Sequence, residues 1–281
     1  MRNRTRKEVA HFVMDAVRSF GIEVNPSSRI SKMYRLTTEL EATVYPGHRD
    51  FEVLLEADRD FQMLEFVFEH LEDAKSDKEF RKLLGFLSYD SALPQLDKAN
   101  SVGRNTQFHL FASAMCQAGG MKPVTYEEPD LVCTLNLQRI GIAVKRVKSA
   151  NQAAKRIRDA IVQIHGSALP GVIALDLTVA LNPKNEPFDI SSNEQDYGEL
   201  HAAYVNWFLT PLEPRIRQWV AQENVLGLVA TYNQPRLDHE GKWELSGITV
   251  QMPTAESAEG REVFENFFRS YTSALPNRTD L

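Results

Sequence analysis

Cysteine is scarce in this sequence, and long apolar runs are missing from it. The 281 residues include two cysteines, Cys116 and Cys133, which stand in apolar surroundings without the spacing of a CxxC motif. No apolar run approaches the roughly 18 residues that a membrane-spanning helix needs. These features argue against a disulfide-stapled secreted domain and against a membrane protein, and they predict buried free thiols in a soluble, cytoplasmic protein.

Several common functional motifs are also missing. The sequence has no glycine-rich phosphate loop, no Ser-His-Asp pattern and no zinc-ligand spacing. The basic N-terminus leads into an amphipathic helix pattern and lacks the apolar core and cleavage site of a signal peptide. With 43% apolar residues, the chain is long enough to build one large domain or two modest ones.

Charge is distributed unevenly. The net charge is −6, which argues against nonspecific coating of nucleic acid. One short segment nevertheless holds six basic residues and no acidic one, namely Lys145, Arg146, Lys148, Lys155, Arg156 and Arg158. Such a patch is typical of a surface that follows a phosphate backbone, and the alternative is an ordinary solvated helix face.

The hydrophobic pattern divides the chain near residue 100. Residues 1–95 are predicted to form a mainly helical region, in which 35–45 and 51–56 remain open between helix and strand. The polar, Pro94-containing stretch 88–101 is interpreted as a connection. The second domain is predicted over 103–281.

The second domain alternates helix and strand patterns. A helix around Phe108–Cys116 precedes strands at 123–126, 130–137 and 140–147, and then a helix over 150–166 that Ser149 caps. The remaining elements are predicted as a fully buried strand at 172–178, a long helix at 197–222, strands at 225–232 and 243–251, and a helix at 259–273. This order indicates an α/β fold in which helices flank both faces of a mixed central sheet.

The hairpin predicted over 130–147 carries a recognisable set of reactive groups. Asp130 begins one strand, and Lys145 lies on the next within an otherwise apolar run. Metal-dependent phosphodiester hydrolysis needs carboxylates that hold Mg²⁺ and a cation that faces the charge on the phosphate. A lysine in an apolar strand also favours an anionic partner, because burial of an unpaired charge is costly. We therefore expect the tips of Asp130 and Lys145 to converge.

The sequences Glu128-Pro129-Asp130 and Ile142-Ala143-Val144-Lys145, with the surrounding helix–three-strand–helix–strand order, resemble the PD-(D/E)xK nuclease superfamily. The resemblance covers about residues 103–178. It implies a restriction-endonuclease-like core, Mg²⁺ (or Mn²⁺) as the cofactor, Asp130 as a metal ligand and Lys145 as the catalytic lysine. It also implies an accessory polar residue on the following helix, a role that fits Gln163.

The sequence departs from that motif at one position, where Ala143 replaces the second acid. Three explanations stay open. The acid has moved, with Asp159 on the following helix or Glu128 beside Asp130 as the supplier; the fold is an inactive binding module; or the alanine was introduced to trap a substrate. Asp159 and Gln163 are four residues apart and therefore share a helix face.

The function predicted from these patterns is metal-dependent hydrolysis of phosphodiester bonds in nucleic acid, with DNA as the expected substrate. The N-terminal region would dock a protein partner or select the target, as in a host-defence or DNA-processing complex, and a homodimer stays open. Nucleic-acid contacts are expected from Arg146, Lys148, Lys155, Arg156 and Arg158. The alternatives are an inactive nuclease-fold scaffold that binds nucleic acid or protein, and an α/β protein in which the motif is coincidental.

Overall fold

The chain folds as two compact units. The computed structural model describes residues 4–39, 50–97, 101–186, 188–189, 194–221, 224–237 and 243–274. The first unit comprises Met1–Phe111, Lys184–Asp189 and Gln234–Ser246, and the second comprises Ala112–Pro183, Ile190–Asn233 and Gly247–Leu281. The predicted region 1–95 thus lies in the first unit, and the division falls inside the helix Val102–Ala118 rather than in the stretch 88–101. No helix in the described ranges has the length and apolar character needed to cross a membrane.

The described part of the first unit is mainly helical. Its helices are α1 Arg6–Ser19, α2 Arg29–Glu39, α3 Phe51–His70 and α4 Lys78–Phe86, with 3-10 turns at Glu72–Ser76 and Pro94–Leu96, and α5 Val102–Ala118 continues into the second unit. A capping box between Thr5 and Glu8 begins α1. The helix ends before Gly21, whose positive φ of 75° suits glycine at this position.

The two segments left open between helix and strand are helical where the structure describes them. Residues 35–39 belong to α2 and residues 51–56 belong to α3. Residues 40–49 lie outside the described residues. Because α3 is buried along most of its length, its alternating polar residues reflect buried ion pairs and not a strand with one solvated face.

Two buried arginines organise the interior of the first unit. Arg29 forms an ion pair with Asp60, and Arg104 Nε lies 3.1 Å from Glu56 Oε1. Arg104 Nη1 also donates to Asp97 Oδ2 at 2.7 Å, which fixes the connection that precedes α5. Pairing of this kind offsets the large cost of removing each charge from water.

The remaining elements alternate helix and strand. The strands are β1 Val124–Thr125, β2 Leu131–Leu135, β3 Gln138–Arg146, β4 Gly171–Asp176, β5 Phe188–Asp189, β6 Val225–Leu237 and β7 Trp243–Pro253, and the helices are α6 Ala150–Ser167, α7 Thr178–Leu181, α8 Glu194–Leu209, α9 Glu213–Val220 and α10 Ala258–Ser273. The predicted long helix at 197–222 is wrong. It is two helices, because Pro211 and Pro214 interrupt the hydrogen-bond ladder between them.

The strands form a mixed sheet in the order β1-β2-β3-β4-β6-β5, with β7 paired to β6. The strands β2 and β3 form an antiparallel hairpin that pairs Leu131 with Ile142 and Leu135 with Gln138. The strands β3, β4 and β6 are parallel to one another. The predicted mixed α/β class is therefore confirmed.

Helices cover both faces of the sheet in the second unit. On one face, α6, α8 and α9 form an apolar core with alternate residues of the strands, including Ile157, Ile173 and Leu228. On the other face, α10 packs so closely on β6 that a Cβ atom at Gly227 would lie 2.5 Å from Phe264 Cζ. The buried strand β4 lies between these layers, as its continuous apolar sequence predicts.

Candidate functional site

The β2–β3 hairpin brings Asp130 beside Lys145. Asp130 immediately precedes β2 and lies one position before the Leu131–Ile142 pair. A close approach between strands makes this possible, because a Cβ atom at Gly141 would lie 2.8 Å from Pro129 Cδ. Glycine at position 141 therefore allows Pro129 and Asp130 to pack directly against β3.

The side chains of Asp130 and Lys145 form a partly buried ion pair. Lys145 Nζ donates to Asp130 Oδ2 at 2.7 Å, and the two side chains are 12% and 23% exposed, respectively. The Val144 backbone N–H donates to the same oxygen at 2.8 Å. Lys145 Nζ also lies 3.2 Å from the Val144 carbonyl oxygen. The expected convergence of the two tips is present, and a solvent-accessible edge remains.

Gln163 reaches this pair from α6. Its Nε2 donates to the Pro129 carbonyl at 3.0 Å and lies 3.4 Å from Asp130 Oδ1. Its Oε1 is buried and accepts no hydrogen bond from the residues that the structure describes. The amide therefore holds the Pro129–Asp130 backbone and presents an unused oxygen acceptor next to the carboxylate.

Asp159 and Glu128 are the two candidates for a displaced acid. In the part of the chain that the structure describes, neither forms a hydrogen bond or ion pair with Asp130, Lys145 or Gln163. Asp159 is half-buried on α6, one turn before Gln163, and Glu128 is exposed. Among the described residues, no group of three or more His, Cys, Asp or Glu side chains is placed to hold a metal ion. Asp130, Asp159 and Glu128 therefore do not form such a cluster here.

Ala143 lies on the same strand face as Lys145, two residues before it, and is completely buried. It belongs to the apolar core that includes Ile157 and Ile173. The motif position that would carry the second acid is thus filled by close apolar packing.

Oxygen groups around the ion pair are of the type that Mg²⁺ and Mn²⁺ bind. The Asp130 carboxylate, the Val144 carbonyl and the orphaned Gln163 Oε1 are all hard oxygen donors. Their chemistry suits such a cation, but a single carboxylate supplies less negative charge than such sites usually have. Asp130 would hold the ion in this arrangement, and Lys145 would have to share or release Oδ2.

One predicted nucleic-acid contact is wrong. Arg146 was expected on the basic surface, but it is only 8% exposed and its Nε donates to Asp176 Oδ2 at 2.7 Å. Strand alternation turns Arg146 to the opposite sheet face from Lys145. There it meets Asp176, its partner in the β3–β4 register. Asp176 Oδ1 also accepts a hydrogen bond from the Thr178 backbone N–H at 2.9 Å, so both carboxylate oxygens have partners within the fold.

The other basic residues remain at the surface to different degrees. Lys155 and Arg158 are exposed on α6, and Lys148 and Arg156 are half-buried. On the opposite side of the helix, Ile157, Ile161 and Ile164 are buried, as the periodicity predicts.

Sequence reasoning missed the part played by the backbone. The N–H and carbonyl of Val144 both face the ion pair, and the Pro129 carbonyl accepts a hydrogen bond from Gln163 Nε2. Backbone groups leave no trace in residue identity. Gly141 was the one available signal, since a glycine inside a strand indicates the close approach of another chain segment.

The comparisons with known proteins add no assignment to this geometry. No protein-family model matches the chain, and no curated protein or solved structure matches it significantly.

Proposed function

We propose that the second unit is a metal-dependent nuclease with a restriction-endonuclease-like core, and that it hydrolyses phosphodiester bonds in DNA. The observation that carries the proposal is the contact of Lys145 Nζ with Asp130 Oδ2 at 2.7 Å, with Gln163 3.4 Å from the other carboxylate oxygen. The start of β2, the end of β3 and the helix α6 thus supply a carboxylate, an ammonium and an amide to one accessible edge.

Each group has a defined role in this proposal. Lys145 offers its positive charge to the phosphate oxygens, whose negative charge grows as the bond breaks. Asp130 would hold the metal ion and orient Lys145, and Gln163 fixes the backbone that carries Asp130. A bound Mg²⁺ would supply an activated water. The exposed Lys155 and Arg158 would hold the phosphate backbone, a contact that contributes affinity without sequence information.

Complete burial of Ala143 favours a second candidate function. Because the position of the second acid is closed by apolar packing, the unit would bind nucleic acid without cutting it. Lys155 and Arg158 would serve that function equally well. Partner or target docking by the N-terminal region, in a host-defence or DNA-processing complex, remains part of both proposals.

Cleavage of plasmid and of end-labelled single-stranded DNA in Mg²⁺ or Mn²⁺ tests the proposal. Asp130→Asn and Lys145→Met should each slow cutting at least ~100-fold, the scale of losing one electrostatic contact in an active site. Arg139→Met is the matched control, because Arg139 also lies on β3 but is 53% exposed and paired with Glu127. Its cutting rate should stay at the wild-type level.

The outcomes separate the two candidates. Metal-dependent cutting that needs Asp130 and Lys145 supports the nuclease. Binding of DNA without any cutting supports the scaffold instead. A protein that neither binds nor cuts nucleic acid overturns both.

A further inference from the structure

The helix α8 is apolar on two opposite sides. Its inner side contributes Val205, Phe208 and Leu209 to the core of the second unit. His201 is also buried, and its ring packs edge-on against Tyr232 with centroids 5.1 Å apart. These contacts fix the rotation of α8 about its axis.

The outer side of α8 carries an apolar stripe, defined here as Leu200, Ala203, Tyr204 and Trp207. All four residues are exposed, and the three large side chains are 39%, 48% and 74% exposed, respectively. Their spacing of i, i+3, i+4 and i+7 is that of a helix face that packs against another helix. An isolated surface helix of a monomer normally presents polar residues at these positions.

We propose that this stripe is a homodimer interface, in which α8 of one copy packs antiparallel against α8 of a second copy. A two-fold axis between positions 203 and 204 would place Leu200 opposite Trp207 of the other copy. It would also place Ala203 opposite Tyr204. The small Ala203 next to the axis would leave room for Tyr204 of the other copy, and Leu200 and Trp207 would pack against each other on either side of it. The same patch serves both copies, which is the defining property of a two-fold interface.

The charge on α8 favours a second copy of the chain over nucleic acid as the partner of the stripe. The helix sequence contains Glu194, Asp196 and Glu199 and no lysine or arginine. A phosphate backbone on the stripe would therefore meet only like charge from this helix. In an antiparallel pair, the acidic N-terminal halves lie at opposite ends of the interface. A parallel pair would bring Glu199 close to its counterpart and would align the helix dipoles unfavourably.

The area of the stripe is that of a weak interface. From an area of ~150–250 Å² for each fully buried aromatic side chain, the exposed parts amount to roughly 300–400 Å² per copy. Two copies would bury about 700 Å² through the stripe, below the ~1,600 Å² of a standard interface. The structure therefore points to a weak, reversible dimer that forms at high protein concentration.

Sedimentation velocity of the full chain, from about 1 to about 300 µM, tests dimer formation. The wild type should shift from monomer to dimer over this range, and Tyr204→Glu and Trp207→Ala should each weaken the dimer at least ~10-fold. Val162→Glu is the matched control, because Val162 is 64% exposed on α6, outside the stripe. Its dimerisation should equal that of the wild type. A wild type that stays monomeric throughout, or dimers that Tyr204→Glu leaves intact, would overturn the proposal, and so would DNA binding that Tyr204→Glu abolishes, because the stripe would then bind nucleic acid instead of a second copy.

Cross-linking tests the antiparallel arrangement. Glu199→Cys and Asn206→Cys proteins, whose cysteines lie beside the stripe and leave its four residues intact, are mixed and treated with a short bis-maleimide, while the native Cys116 and Cys133 are fully buried and stay unreactive. An antiparallel dimer gives the mixed Glu199→Cys–Asn206→Cys product in preference to either homodimer. Predominant homodimers would show a parallel pair and refute the arrangement. Neither assay involves cleavage, so the outcome is independent of the proposed nuclease activity.

Discussion

At the scale of single residues, Ala143 has the largest consequence for chemistry. It lies two residues before Lys145 on the same strand face, and its methyl group is completely buried against the apolar core. A carboxylate at this position would be removed from water on folding. The free-energy cost of burying its charge would be offset only by a cation beside it. Stability and metal binding should therefore be linked at this position.

Ala143→Glu should lower the free energy of unfolding by on the order of 3 kcal/mol without metal, which is the scale for a buried charge without a partner. Mn²⁺ should restore part of that loss if the oxygen groups of Asp130, Val144 and Gln163 form a metal site. Thermal melts with and without Mn²⁺ measure both effects. Ala153→Glu is the control, because Ala153 is buried in the same core but lies on α6. Equal metal dependence of the two variants would argue against a metal site at Asp130.

Asp58 is a second residue whose environment has a measurable consequence. Burial raises the pKa of Asp58 from 3.8 to about 6, although Arg6 Nη2 lies 2.6 Å from its Oδ2 and counteracts the shift. The other carboxylate oxygen is buried and has no hydrogen-bond partner among the described residues. The folded protein therefore holds the proton more tightly than the unfolded chain does.

This shift predicts the sign of a pH effect. The contribution of Asp58 to stability is fully present below about pH 4 and is lost as the pH rises towards 6, a change on the order of 2–3 kcal/mol. Asp58→Asn, which keeps the neutral shape, should gain stability relative to wild type as the pH rises from 4 to 7. Urea unfolding at several pH values tests this. Asp15→Asn is the control, since Asp15 is 74% exposed and its variant should show no such trend.

At the scale of elements, the Arg146–Asp176 ion pair joins the ends of β3 and β4. The two residues are register partners, and both side chains are less than 10% exposed. Arg146 directly follows Lys145, so this pair fixes the strand end from which Lys145 projects. In the proposed site, the pair would position Lys145 rather than contact nucleic acid.

A double-mutant cycle tests that role. Arg146→Met should destabilise the fold by about 3–5 kcal/mol, because it leaves the Asp176 charge buried without its partner. The double variant Arg146→Met/Asp176→Leu should be less destabilised than the sum of the single changes. Chemical unfolding measures all three variants. If Arg146→Met instead weakens DNA binding without loss of stability, the surface role predicted from sequence is right after all.

At the scale of the whole molecule, the charge distribution sets how any nucleic acid would bind. The chain has a net charge of −6, so attraction must come from a local surface, and Lys155 and Arg158 are the exposed basic residues on α6. Each phosphate contact releases a counterion, which makes binding weaken as salt rises.

The double variant Lys155→Ala/Arg158→Ala should bind DNA more weakly at low salt. It should also reduce the slope of log K against log salt by roughly 1.4–1.8, the value for two lost contacts. Fluorescence anisotropy across a salt series measures the slope. Arg217→Ala is the control, because Arg217 is an exposed arginine on α9 that pairs with Glu213. An unchanged slope for the α6 variant would show that this surface does not hold the phosphates.

Local sequence patterns determined most elements of the second unit. The apolar run of β4, the alternation of the hairpin strands and the helical period of α6 each depend on neighbours along the chain, so they can be read from sequence. The hairpin order also predicted the Asp130–Lys145 contact, because a tight turn fixes which residues face one another. The prediction of one long helix at 197–222 was wrong, because two prolines end the first helix despite the continuing apolar periodicity.

Only the tertiary structure determined which charged side chains are buried in ion pairs and which lie in water. Arg146 and Lys155 are equivalent in a count of basic residues, yet one is buried against Asp176 and the other lies in water. The exposed stripe on α8 is likewise apolar in sequence, as a core face would be. In both cases burial depends on which face of a strand or helix meets another element. That choice is made by contacts between residues far apart in the chain, which no local pattern contains.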